Sequence, residues 1–94
     1  MFSEVYYLVR SKIDGSYLVA HPKANNGPGY LLMFREYFDA LSYLKAHAAD
    51  LADKFGVESL PGSQLKGLLN RWGFVGVGMV QDPLLPRIEF LSLQ

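Results

Sequence analysis

The chain of 94 residues contains no cysteine. Disulfide frameworks, thiolate metal sites, iron-sulfur clusters and cysteine nucleophiles are therefore excluded, and the expected location is a reducing one, the cytoplasm. Histidine is nearly as scarce, with only His21 and His47 available as imidazole bases or ligands. An excess of charge of either sign is missing too: nine Lys and Arg balance nine Asp and Glu. No net field draws such a protein toward nucleic acid, an anionic membrane or an acidic partner. Long apolar runs are absent. The longest candidate, WGFVGVGMV, falls well short of the roughly 18 residues a membrane span needs and is rich in glycine. The opening MFSEVYYLVR has neither a basic lead nor a small-residue cleavage pattern, so a secretory signal is not expected there.

What is present is apolar and aromatic. Half of the residues are hydrophobic, 14% are aromatic and mean hydropathy is +0.09, a composition that folds around a core. The length suits one core, so residues 1–94 are expected to form a single domain.

Patterning divides the chain into elements. VYYLVR and SYLVAH are β-rich runs flanking Asp14-Gly15, a type I′ turn signal, which predicts a hairpin with Arg10 facing Val19. One face of that hairpin carries Val5, Tyr7, Val9, Ile13, Leu18 and Ala20; the other carries Tyr6, Leu8, Arg10, Lys12, Tyr17, Val19 and His21. PKANNGPG is a loop, and YLLMF reads as a central strand buried on both sides. Tyr37, Leu41, Leu44, Ala48, Leu51 and Phe55 recur at spacings of four and three, which predicts one long helix ended by Gly56. Ser63 is the expected N-cap of a short helix QLKGLLNRW that points Leu65, Leu68, Leu69 and Trp72 inward and closes at Gly73. FVGVGMV and RIEFL complete a second antiparallel pair. The expected fold is α+β in the order β-β-β-α-α-β-β, an antiparallel sheet of about five strands with two helices on one face.

Few residues carry a chemical signature. His47, Asp50 and Lys54 would share one helix face, but two side chains capable of metal binding are too few, and an exposed face normally carries such charges. Gly76 and Gly78 form a G-x-G inside a strand, whereas a dinucleotide site needs its glycines at a strand-to-helix turn. Pro83, Leu84, Leu85, Pro86 and Arg87 have the spacing of a polyproline ligand, yet their strand-like flanks favour a rigid turn. No serine stands in G-x-S-x-G. No catalytic residue, metal or cofactor is expected from these patterns.

Two surfaces remain. His21, Lys23, Asn25, Asn26 and Gly27 belong to a loop whose backbone N–H groups can cradle a small ligand or an anion. Tyr6, Leu8, Tyr17 and Val19, with Leu84 and Leu85 at a turn tip, form an apolar surface that two helices on the other face would leave uncovered. From about residue 36 to 91, helix, shorter helix and hairpin together resemble the skeleton of a winged-helix DNA-binding domain. That resemblance implies Gln64, Lys66, Asn70 and Arg71 as groove-facing residues, although the leading strands and the neutral charge do not fit it. The favoured reading is a noncatalytic interaction or regulatory protein that self-associates or binds another protein. Small-ligand binding at the loop comes second and nucleic-acid binding third.

Overall fold

Strands β1 (Val5–Ser11), β2 (Val19–Ala20) and β3 (Tyr30–Met33) lead into helix α1 (Tyr37–His47), strand β4 (Phe55–Pro61), helix α2 (Leu65–Trp72) and strands β5 (Gly76–Asp82) and β6 (Arg87–Ser92). These elements come from a computed structural model that describes residues 4–22, 29–85 and 87–92.

The fold is α+β with a mixed sheet. β4 lies antiparallel on β1, and β2, β3, β5 and β6 form a second ladder in that order. Tyr7 and Phe34 join the two ladders by exchanging backbone hydrogen bonds, each 2.9 Å. The spatial order is thus β4, β1, β3, β5, β6, and β2 sits in the fork between β1 and β3. Leu18 spans that fork: its N–H donates to the Val9 carbonyl at 2.9 Å, and its own carbonyl accepts from the Leu32 N–H at 3.1 Å. β3 and β5 run parallel, with Leu31 opposite Val77, which corrects the all-antiparallel expectation. A parallel pair needs a long crossover, and the stretch holding α1, β4 and α2 supplies it.

The two helices lie on opposite faces of the sheet, not on one. Leu65, Leu68 and Leu69 of α2 pack against Tyr6, Leu8, Leu31, Met33, Leu60, Val77 and Met79. Ala40 and Leu44 of α1 pack against Val9, Leu32, Phe34 and Val80. The reason lies in Leu31 to Met33 of β3 and the Phe34 that follows, whose successive side chains are all apolar and point alternately to the two faces. A single covered face would leave Leu31 and Met33, or Leu32 and Phe34, in water.

The long helix stops early. α1 ends at His47; Ala48 leaves helical geometry at φ −149° and ψ 44°, and its N–H caps the Leu44 carbonyl at 2.8 Å. A 3₁₀ segment, Ala49–Lys54, follows, and Phe55 and Gly56 belong to β4, which patterning did not anticipate. Tyr37 and Leu51 are exposed, whereas Ala40 and Leu44 hold the buried face. Helix propensity yields here to seven residues of pairing with β1 and to the Lys12 N–H bonding the Lys54 carbonyl at 2.9 Å.

Smaller corrections concern turns and caps. The β1 to β2 connection places Arg10 opposite Tyr17, two residues from the anticipated register. Its four-residue loop is held by Ser11 Oγ, which accepts from the Ile13 and Asp14 N–H groups, and by Asp14 Oδ1, which accepts from Ser16. Gly15 supplies a φ of 75°, so the two-residue turn is replaced by a wider one. Ser63 does not cap α2; it lies in the 3₁₀ turn Gly62–Gln64, and no side chain caps the helix. Gly73 does close α2, at φ 75°. The helix, helix and hairpin succession behind the winged-helix resemblance is interrupted by β4.

The strand glycines serve packing. A Cβ at Gly76 would collide with the Leu91 carbonyl of β6, and one at Gly78 would meet Leu32 Cδ2 at 3.0 Å and Ile88 Cγ2 at 3.1 Å. Close approach of neighbouring strands, with a register shift between Val80 and Asp82, explains both glycines without a nucleotide.

Candidate functional site

Chain reversal at the end of α2 builds the most distinctive surface of the protein. Gly73 turns the backbone so that Phe74 N–H reaches the Leu69 carbonyl at 2.9 Å, and Trp72 and Phe74 stack with ring centroids 6.3 Å apart and planes inclined by 12°. Tyr17 stands edge-on to Trp72 at 5.1 Å. Arg10, opposite Tyr17 across the β1 to β2 connection, places its guanidinium carbon 4.7 Å from the Tyr17 ring centre and 5.9 Å from that of Trp72.

Arg10 is held from three sides. Its Nε donates to the Gly15 carbonyl at 2.7 Å and its Nη1 to Glu58 Oε2 at 3.2 Å, while the aromatic faces lie beside it. Glu58 comes from β4, the strand that pairs with β1, and its other oxygen lies 3.5 Å from the Tyr17 hydroxyl. Burial pushes the Tyr17 phenol pKa above its usual value of 10.0, the Glu58 carboxylate adds to the rise, and Arg10 partly opposes it. The result is a preorganised guanidinium among aromatic rings, with Trp72 still 39% exposed. Aromatic and arginine side chains of this kind, already fixed in place, lose little entropy when a partner covers them.

The residues singled out by patterning scatter around this surface. Tyr6 and Leu8 are 5% and 1% exposed and lie beneath α2, so they are core and not interface. Tyr17 does reach the surface cluster, and Val19 is half-buried on the same strand face. Leu84 and Leu85 remain 65% and 70% exposed at the β5 to β6 turn. Side chains brace that turn: Asp82 Oδ1 accepts from the Leu84 and Leu85 N–H groups at 2.9 and 3.3 Å, and His47 Nε2 donates to the Pro83 carbonyl at 2.9 Å. His21 is exposed, and a Cβ added at Gly29 would stand 3.4 Å from its ring and 3.6 Å from Phe74. His21 and Gly29, which flank the anticipated ligand loop, therefore lie beside Phe74 of the aromatic cluster. Lys23, Asn25, Asn26 and Gly27 lie outside the described residues, as does Pro86.

His47 belongs to α1, whereas Asp50 and Lys54 lie in the 3₁₀ segment, so the three do not share one helix face. Among the described residues, no group of three or more His, Asp or Glu side chains is placed to hold a metal ion. No helix among them is long and apolar enough to cross a membrane. Patterning missed Trp72 as a surface residue because the α2 stripe assigned it inward with Leu65, Leu68 and Leu69. The usable signal was its place as the last residue before a C-terminal glycine, where the helix ends and cover from the sheet ends with it. No family model matches the chain, and no match was found among curated proteins or among solved structures.

Proposed function

We propose that this protein is a noncatalytic interaction module that self-associates through the surface formed by Arg10, Tyr17, Trp72 and Phe74. The observation that carries this reading is the partly exposed Trp72, stacked on Phe74 and flanked by the Arg10 guanidinium. Trp, Tyr and Arg dominate the energetics of protein interfaces, and one cluster here joins all three. The surface also carries both charges, Arg10 and Arg71 against Glu58, which suits a two-fold contact in which unlike groups of two copies meet. A second reading, small-ligand binding at the loop that follows His21, draws support from the placement of His21 and Gly29 beside Phe74.

The chain contains a single tryptophan, so its fluorescence reports on this surface directly. Sedimentation and emission are measured together across about a hundredfold range of concentration, a span that brackets a micromolar dimer. Doubling of mass with a blue shift of Trp72 emission is the expected result, and Trp72→Lys should abolish the doubling while leaving circular dichroism unchanged. A constant monomer mass with constant emission overturns the reading.

A further inference from the structure

The face of the sheet that α2 covers continues beyond the helix into a polar row. Beyond the Met33 to Met79 pair, Arg35, just past β3, and Gln81 of β5 line one depression. Arg87 and Glu89 follow on β6, where Glu89 opposes Met79 and Arg87 opposes Asp82. Arg35, Gln81, Arg87, Ile88 and Glu89 line an open depression of about 630 Å³. It sits at the carboxyl ends of β3 and β5, the one parallel pair among the described strands, a place where open α/β sheets commonly bind ligands.

The charges in this depression are unevenly matched. Glu89 Oε1 accepts from the Gln81 amide at 3.0 Å. Among the described residues, the Arg10 to Glu58 pair is the ion pair present, and neither Arg35 nor Arg87 has a carboxylate within salt-bridge distance. The two arginines flank Gln81 from the neighbouring strands, about two strand spacings or 10 Å apart, a gap that their long side chains can close around one small group. Both are exposed, so they lack the burial that would explain them as core supports. Guanidinium groups present planar forks of donors that match tetrahedral oxyanions, and two such forks compensate a dianion better than a monoanion.

We infer that Arg35 and Arg87, with Gln81 between them, form a binding site for a phosphate-type dianion, either free phosphate or the phosphoryl group of a small phosphomonoester. Two carboxylates temper the site: Glu89 holds Gln81 in place, and Asp82 stands opposite Arg87 across the ladder, each at the cost of one opposing charge. This site is separate from the aromatic surface, since Phe74 precedes β5 and Gln81 stands near its far end, roughly 20 Å away along the strand. It does not depend on self-association.

The test is amide chemical-shift titration of the full chain with inorganic phosphate, glycerol phosphate and acetate at matched ionic strength. Saturable shifts at Arg35, Gln81 and Arg87 to Glu89 are expected with phosphate and not with acetate. A matching response to glycerol phosphate identifies a phosphomonoester as an acceptable ligand, and its absence restricts the site to free phosphate. Arg35→Gln and Arg87→Gln should each weaken binding about tenfold, the worth of one charged hydrogen-bonding group. Glu89→Gln should tighten it. All three positions are exposed, so the variants retain the fold. Equal responses to phosphate and acetate, shifts located elsewhere, or affinities unmoved by the arginine substitutions overturn the assignment.

Discussion

Tyr30 and Phe90 meet edge to face across β5, with ring centroids 5.2 Å apart, over the strand positions occupied by Gly76 and Gly78. The pairing register explains the contact: Tyr30 is opposite Gly76, and Phe90 is opposite Gly78. Each glycine omits the side chain that would separate the flanking rings, and the aromatic pair covers the bare backbone in return. The Tyr30 hydroxyl also lies 3.3 Å from Ser92 Oγ, which ties β3 to the end of β6.

Glycine substitutions should therefore divide by position. Gly76→Ala forces a Cβ into the Leu91 backbone and should destabilise the fold by about 1 to 3 kcal/mol or more. Gly67, exposed on α2 with nothing within 4 Å of an added Cβ, should behave oppositely. Gly67→Ala should stabilise by about 0.5 to 1 kcal/mol through helix propensity. Urea denaturation midpoints measure both, and equal shifts of one sign would contradict the packing described for β5.

The shortened helix makes a second contrast. Leu44 is 3% exposed and Leu51 is 48% exposed, although both lie on one stripe in the sequence. Leu44→Ala should cost about 2 to 5 kcal/mol, while Leu51→Ala should stay within about 0.5 kcal/mol of the parent. A large loss at Leu51 in the same denaturation experiment would mean that the helix continues past His47.

Arg10 and Glu58 should couple weakly. Their side chains are 37% and 43% exposed, so solvent screens the pair and a double-mutant cycle should return about 0.2 to 1 kcal/mol. Arg10→Ala alone should cost more than Glu58→Ala, because it also removes the Gly15 carbonyl bond and the contacts with Tyr17 and Trp72. Trp72 emission should shift in Arg10→Ala and stay nearly constant in Glu58→Ala. The reverse order of costs would place the stabilisation in the ion pair.

Alkaline pH should loosen the fold. Burial raises the pKa values of Tyr6, Tyr17 and Tyr43 above 10.0, with Glu4 adding to the effect on Tyr6 and Glu58 to that on Tyr17. The folded chain thus keeps its phenol protons at a pH where the unfolded chain has begun to lose them. Stability is fully present below the unfolded value and declines as pH rises through it toward the folded value. Denaturation midpoints at about pH 9 and about pH 11 should show the decline, and Tyr17→Phe should reduce it. Ionisation followed at 295 nm with all six tyrosines titrating at the ordinary value would contradict the burial of these three.

Much of the local structure follows from short-range pattern. The alternating faces of β1, the inward leucines at 65, 68 and 69, the closure of α2 at Gly73 and the antiparallel pairing of β5 with β6 each depend on one segment of the chain or on two consecutive ones. Side-chain period and the conformational freedom of glycine are local properties, so they are readable from the chain alone. The path of Phe55 to Pro61 was different. An apolar stripe carries the helical period up to Phe55, and only hydrogen bonds from β1, far away in the chain, turn that stretch into β4. The same holds for the two-sided sheet. Apolar residues on both faces of β3 were visible in the sequence, but which helix covers which face was decided by the parallel crossover from β3 to β5. The aromatic surface likewise exists only because strand pairing and helix packing bring Arg10, Tyr17, Glu58 and Trp72 together. Long-range contacts of this kind stabilise the fold only after chain segments distant in sequence have met, so no local window of the sequence contains them.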